Sequence, residues 1–173
     1  MSNHPLPCPT PLTLLLSHVR ALQARGLSVV TTNGTFDLFH AGHLDTLEGA
    51  RALGDFLIVL VNSDDSVQRL KGPQRPYLPA AERCRLLAAL RCVDAVAVFE
   101  QDTPLELLAA LRPQVHVKGG SFVPERVAAE RMLLASWGGH LELVPLREGR
   151  SSTALVQQIW RDHPTLRLET SIP

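Results

Sequence analysis

The sequence predicts an α/β fold, a three-layer sandwich in which a five-stranded parallel sheet carries helices on both faces. Three observations lead there. Residues 55–61 (Asp-Phe-Leu-Ile-Val-Leu-Val) form an apolar run of strand length, the pattern of a parallel strand buried on both faces. Strand-like and helix-like segments alternate from residue 12 to residue 162, and such alternation gives parallel strands joined by right-handed helical crossovers. Finally, the β-rich run 29–32 meets an Asn33-Gly34 turn signal and then a helix-like segment opening at Gly42, which is the strand, loop and helix start of one such unit.

Each element has its own local reason. Residues 1–11 carry Pro5, Pro7, Pro9 and Pro11 at alternate positions, which denies a helix its hydrogen bonds and predicts a flexible tail outside the fold. Residues 12–25 place Leu12, Leu15, Leu16, Val19 and Leu22 on a helical stripe, with Thr13 as a possible N-cap and Gly26 as the stop. The first strand (29–32) and a helix over 42–53, stopped by Gly54, follow; the strand 55–61 comes next. Residues 64–79 read as a polar loop, and 79–90 as a helix with proline at its start and Leu86, Leu87 and Leu90 on its apolar face. A strand over 94–99, a helix over 104–111 with Thr103 as N-cap, and a short strand at 115–117 lead to Lys118-Gly119-Gly120. Paired glycines there let backbone approach a ligand closely. A helix over 124–137, a strand over 141–146 and a helix over 151–160 close the domain, and 163–173 is expected to be a loose tail.

Composition narrows the class of function. An apolar fraction of 45% and a charged fraction of 20% in 173 residues suit one globular domain with a real core. Lys+Arg 17 balances Asp+Glu 17, so nothing overall draws the chain to nucleic acid or to an anionic membrane, and any phosphate binding must be local. The three cysteines (Cys8, Cys84, Cys92) lack metal-ligand spacing, so reduced thiols in the cytoplasm and no protein-ligated metal are expected. The longest apolar stretch, 56–61, is too short to span a bilayer, and the first residues show no basic segment followed by an apolar core.

The chemistry concentrates at residues 33–43. The turn is followed by Phe36, Asp37 and two histidines three positions apart, His40 and His43, at a glycine-opened helix start. A helix N-terminus offers free N–H groups and partial positive charge, and residues three apart share one face, so the pair can reach one anion together; the simplest such ligand is a polyphosphate. With 7 His and 11 Gly in 173 residues, about 0.02 chance copies of His-x-Gly-His are expected. The bland reading, histidines that only cap or line a core helix, fits a lone histidine better than this pair. Lys71 and Arg75 lie on the polar stretch after the second strand, where a solvated loop is the ordinary reading, and Ser151-Ser152-Thr153 could be no more than an N-cap.

The motif Gly34-Thr35-Phe36-Asp37-x-x-His40-x-Gly42-His43 resembles the signature of the nucleotidyltransferase superfamily related to glycerol-3-phosphate cytidylyltransferase. Val61-Asn62-Ser63-Asp64, Arg69-Leu70-Lys71-Gly72, Arg75-Pro76, Glu100-Gln101-Asp102-Thr103-Pro104, Val117-Lys118-Gly119-Gly120 and Gly149-Arg150-Ser151-Ser152-Thr153 are similar to the adenylyltransferase domain of bacterial ADP-heptose synthases. The resemblance implies a Rossmann-like nucleotidyltransferase domain over 12–162 and transfer of AMP from ATP to D-glycero-D-manno-heptose 1-phosphate, giving ADP-heptose and pyrophosphate. It implies His40, His43 and Lys71 as catalytic groups. Around the nucleotide it places Asn33, Gly34, Thr35, Phe36, Gly42, Lys118, Gly149, Ser151, Ser152 and Thr153 with the two histidines. Around the acceptor it places Asp37, Lys71, Arg75, Asp102, Gly119 and Gly120. Mg2+ would arrive with ATP, and a stand-alone cytoplasmic homodimer is expected. The chain departs from the heptose pattern at Ser121-Phe122, where an acidic-aromatic pair is usual, and its Arg147 is one position away from the arginine of the cytidylyltransferases.

An acceptor that is itself a phosphate is already anionic at pH 7, so the reaction asks for positioning and charge stabilisation rather than a general base. The alternative within the class is a cytidylyltransferase acting on glycerol 3-phosphate or a similar alcohol phosphate. Two other classes are a class I aminoacyl-tRNA synthetase, which would need a tRNA-binding module and a basic surface, and a non-catalytic nucleotide sensor.

Overall fold

The computed structural model describes residues 6–119, 127–144 and 152–162, with the backbone alone for 152–155. Among the described residues seven helices and five strands follow one another, alternating except where α4 succeeds α3: α1 (Leu12–Ala24), β1 (Val29–Gly34), α2 (Ala41–Arg51), β2 (Phe56–Asn62), α3 (Asp64–Lys71), α4 (Ala80–Ala88), β3 (Ala95–Phe99), α5 (Leu105–Leu111), β4 (Val115–Gly119), α6 (Ala128–Ala135), β5 (His140–Val144) and α7 (Ser152–Asp162). All strand pairs are parallel, in the order β3-β2-β1-β4-β5. The five-stranded parallel sheet covered on both faces is the predicted architecture.

The unbroken apolar run has two cores to fill. Alternate side chains of β2 point to opposite faces, so Ile58 and Leu60 join Leu15 and Val19 of α1 and Leu108 and Leu111 of α5 on one side. Leu57, Val59 and Val61 join Leu47 and Ala50 of α2 and Leu87 of α4 on the other. Every one of these side chains is at most 2% exposed, and each buried leucine or valine stabilises the fold by roughly 1.5–3 kcal/mol.

Several local expectations are corrected. Residues 64–71, read as loop, form α3: Ser63 caps it by accepting from the Ser66 N–H, Asp64 and Asp65 sit in the first turn, and Arg69 and Lys71 sit in the last. The short helix has only Ser66 and Val67 buried, too little apolar periodicity to announce itself, although its cap and charge order were readable. In α4 the buried side chains are Arg83, Cys84 and Leu87, while Leu86 is 49% exposed. Helices α1 and α5 start at the prolines Pro11 and Pro104 instead of Thr13 and Thr103. From residue 6 the proline-rich segment packs on the fold: Thr10 is buried and donates its N–H to Val96 O at 2.7 Å, and Leu6 rests on the first core.

Candidate active site

Strand β1 is where the sheet order reverses: β2 pairs with one of its edges and β4 with the other. In open α/β sheets ligands sit outside the carboxyl ends of the strands at such a point. The segments that converge there are the loop after β1 with the N-terminus of α2, the end of β4, and the stretch around α3.

Helix α2 begins with its N-cap His40 extended (φ −145°, ψ 170°), and the His40 side chain makes no capping hydrogen bond. The first turn of α2 carries the partial positive charge of a helix N-terminus, with the His43 N–H given to His40 O at 2.9 Å. The His40 and His43 rings stack face to face, 3.9 Å between centroids and 20° between planes. Phe36 (5.3 Å) and Phe39 (5.6 Å) press on His43 as well. Burial first, then the neighbouring His40 and Lys71, lowers the His43 pKa to about 4, so its imidazole is neutral at pH 7. The buried Nδ1 of His43 has no hydrogen-bond partner among the described residues. Phe36 holds this packing from the left-handed region (φ 47°), a conformation that costs about 1 kcal/mol for a residue with a side chain, offset by burial of its ring.

Cationic side chains flank the histidines. Lys71, at the end of α3, donates from Nζ to Thr35 Oγ1 at 2.9 Å; burial first, then Arg75, lowers its pKa. On the opposite side of β1, Lys118 donates to Asn33 Oδ1 at 2.6 Å and pairs with Glu130 Oε1 at 2.9 Å. Ammonium groups thus approach the end of β1 from α3, through Thr35, and from β4, through Asn33.

Other predicted residues also make contacts within the fold. The Asp37 carboxylate, 1% exposed, takes Arg75 Nη1 at 2.7 Å and the backbone N–H groups of Tyr77 and Leu78 at 2.7 and 3.0 Å. Burial would raise its pKa, but those partners hold it below the usual carboxylate range. Arg75 also lies 4.0 Å over the Tyr77 ring. Asp102 pairs with Arg69 at 2.7 Å with both side chains half exposed. Gly119 is required by packing: a Cβ there would meet Thr46 of α2 at 2.6 Å, so its lack of a side chain lets β4 lie against α2. Gly42 is buried in the first turn of α2, and Gly34 leaves room for the Phe36 ring, which a Cβ would meet at 3.1 Å. Gly120, Ser121, Phe122, Arg147, Gly149 and Ser151 lie outside the described residues, as do the side chains of Ser152 and Thr153.

Sequence reading missed two charged groups. Arg83 is fully buried, donating from Nε to Leu78 O (2.9 Å), from Nη1 to Thr35 O (2.6 Å) and from Nη2 to Asp64 Oδ1 (2.6 Å). It ties the β1 loop to α3 and α4. Glu130 was the other: it sits in the first turn of α6, where an acidic side chain reads as an ordinary partner of the helix dipole. A third hidden group, His116 in β4, is fully buried with Nδ1 at 2.8 Å from Thr31 Oγ1; burial first, then Lys118, brings its pKa to about 3.

Among the described residues no group of three or more His, Cys, Asp or Glu side chains could hold a metal ion, and no helix is long and apolar enough to cross a membrane. The Asp37 carboxylate, just after β1, has both oxygens engaged.

Comparison with known proteins agrees with this geometry. The cytidylyltransferase-like family model matches residues 31–165. The chain is 52% identical over 141 residues to the bifunctional protein HldE of Trichlorobacter lovleyi, covering 82% of this chain and 28% of that protein. It is 54% identical over 135 residues to the bifunctional protein HldE of Streptomyces coelicolor, covering 78% of this chain and 29% of that one. The chain thus spans less than a third of the length of these curated relatives. The crystal structure of the lipopolysaccharide core biosynthesis protein from Thermoplasma volcanium superposes with a TM-score of 0.57 at 24% identity, over 70% of this chain and 98% of that one, a likeness of fold.

Proposed function

The chain belongs to the cytidylyltransferase-like family, and from that premise we propose that it is an adenylyltransferase moving AMP from Mg-ATP to a sugar 1-phosphate, D-glycero-D-manno-heptose 1-phosphate, to give ADP-heptose for lipopolysaccharide assembly. The observation that carries the reading is the stacked His40–His43 pair at the open N-terminus of α2, flanked by Lys71 on Thr35 and Lys118 on Asn33. The relatives of about 50% identity favour the heptose acceptor over the glycerol 3-phosphate alternative.

In the reaction an anionic oxygen of the acceptor phosphate attacks the α-phosphorus of ATP. The bond from that phosphorus to the bridging oxygen of the β-phosphate breaks, and pyrophosphate leaves with the electron pair. No proton has to be removed, so the residues supply position and charge. His40 and His43 donate to triphosphate oxygens beside the N–H groups of α2. The neutral His43 costs little to desolvate further, and its Nδ1, unpartnered among the described residues, leaves hydrogen-bonding capacity in a buried place. Lys71 and Lys118 neutralise charge on the two sides of the α-phosphorus, exchanging their hydroxyl and amide partners for phosphate oxygens. Mg2+ bound to the triphosphate supplies further charge neutralisation. Asp37 and Asp102, engaged by Arg75 and Arg69, shape the site instead of touching the acceptor, and Gly149, Ser151, Ser152 and Thr153 would complete the triphosphate cradle.

Supply of ATP places this activity in the cytoplasm, and a homodimer belongs to the same reading, tested by light scattering on the purified chain. The decisive assay is pyrophosphate release over a matrix of four nucleoside triphosphates and a panel of sugar 1-phosphates and polyol phosphates. ATP with the heptose 1-phosphate is the expected pair; preference for CTP with glycerol 3-phosphate would replace this reading by the cytidylyltransferase one.

A further inference from the structure

The last turn of α3 joins two loops at the carboxyl edge of the sheet. Arg69 donates from Nε to Asp102 Oδ1 at 2.8 Å and from Nη2 to Glu100 O, on the stretch that follows β3. Two residues later Lys71 donates to Thr35 Oγ1, just after β1. We propose that Arg69 is a positioning residue for Lys71: planted on residues 100–102, it fixes the rotation of α3 about its axis and so aims the ammonium at the β1 loop. This assignment rests on the transferase reading, in which Lys71 neutralises charge near the α-phosphorus, and adds to it a residue that touches neither substrate.

Helix geometry makes the two side chains antagonists. At 3.6 residues per turn, positions two apart point about 200° from each other, nearly to opposite sides. In the sheet β2 lies between β3 and β1, and α3 follows directly on the end of β2. Arg69 therefore reaches the loop of one neighbour of β2 and Lys71 the loop of the other. A helix held at Arg69 cannot roll without carrying Lys71 away from Thr35.

The two halves of α3 are seated differently. In the first half Ser66 and Val67 are buried, Ser66 Oγ donates to Gln101 O at 2.9 Å, and Asp64 Oδ1 accepts from the Ala80 N–H at 2.9 Å. In the second half Gln68, Arg69 and Leu70 are exposed, so burial of these side chains does not fix the last turn. A guanidinium suits the task, because its planar fork takes two acceptors in a set direction and a single ammonium does not. The Arg69 and Asp102 side chains are each 49% exposed, and an open pair adds little to the stability of a fold. Its loss should redirect Lys71 and leave melting nearly unchanged.

The test compares wild type with Arg69→Met, which keeps the aliphatic stem, and with Arg69→Lys and Asp102→Ala, using the nucleotide and acceptor that wild type turns over best. Arg69→Met should lower kcat about 10-fold and leave the KM for ATP and for the acceptor within about twofold. Arg69→Lys and Asp102→Ala should be intermediate, because each keeps one of the two acceptors on 100–102. In a Lys71→Ala background Arg69→Met should cost less than about twofold further. Equal losses in both backgrounds, or wild-type constants in Arg69→Met, would overturn the proposal. So would a raised acceptor KM at unchanged kcat, which would give Arg69 and Asp102 to the acceptor itself. If wild type turns over no pair, the transferase reading falls, and hydrogen exchange over residues 64–72 decides on the clamp alone. Exchange about 3-fold faster or more in Arg69→Met sustains the clamp, and equal exchange overturns it as well.

Discussion

Glu130 of α6 holds Lys118 of β4: its Oε1 is 2.9 Å from the ammonium, with the two side chains only 8% and 17% exposed, while Asn33 accepts from the same nitrogen on the far side. The second oxygen of Glu130, Oε2, is buried and has no hydrogen-bond partner among the described residues, so among them the carboxylate serves this one cation. A lysine on a four-carbon stem has many rotamers, and fixing one of them before the anion arrives removes that entropy from the reaction. Glu130→Gln should therefore lower kcat roughly 10-fold without raising the KM for ATP, because a freed, less neutralised ammonium binds ground-state phosphate as well or better. In a Lys118→Met background the same change should cost nothing further, since the two residues act as a unit. Equal losses in both backgrounds would show that Glu130 does not act through Lys118.

The stacked histidines should fail together. His40→Ala and His43→Ala are each expected to lower kcat on the order of 10²-fold, with the double variant falling short of the product, because both contact one developing charge. Circular dichroism and melting should show the fold intact. Full activity in either single variant would return the pair to a packing role.

Lys71→Ala should lower kcat by more than it raises the KM for ATP. The ammonium now rests on a neutral hydroxyl, Thr35 Oγ1, and its burial makes it costly to leave without an anion, so the interaction grows most when charge develops around the α-phosphorus. Its place at the end of α3 means that little motion is needed. Unchanged turnover would make it a surface lysine.

Arg83→Leu is expected to destabilise the fold by about 2 kcal/mol, because Thr35 O and Leu78 O lose their donor while the partly exposed Asp64 can return to water. In a chain of this size that is a fall in Tm of roughly 4–8 °C, read by thermal denaturation. It should also reduce activity, since the β1 loop is anchored through Thr35 O. A variant with wild-type melting would contradict the role given to this buried cation.

Acid should unfold the protein before its carboxylates are all protonated. The folded-state pKa values of His43 and His116, about 4 and about 3, lie below the ordinary 6.5, so between these values the unfolded chain binds more protons than the folded one. Stability contributed by the two neutral imidazoles is complete above pH 6.5 and is lost as pH falls, toward about 4 for His43 and toward about 3 for His116. Melting temperature should drop over that window, and less steeply in His43→Gln. An equal slope in that variant would assign the effect to other groups.

The sequence by itself determined the sheet and the place of its ligand edge. A run such as Phe56–Val61 has nowhere to go but the middle of a parallel sheet, and a His-x-Gly-His opening a helix just after a strand can only lie at the carboxyl edge, because periodicity and chain order are local properties of the chain. Helix α3 was harder: its cap and charge order were in the sequence, but eight residues with one inward apolar turn give too weak a period to be seen. What only the tertiary structure decided is which charges meet. Asp37, which the resemblance sets beside the acceptor, is found to receive Arg75 and the N–H groups of Tyr77 and Leu78, 38 to 41 residues away, on its two oxygens. Arg83 and Glu130 read as ordinary surface charges of their helices until burial and a distant partner make each a fixed support. Gly119 reads as room for a ligand until Thr46 of α2 is found against it. Such pairings are set by how strands and helices stack across the whole domain, and burial, which gives a paired charge its strength, exists only once that stacking is complete.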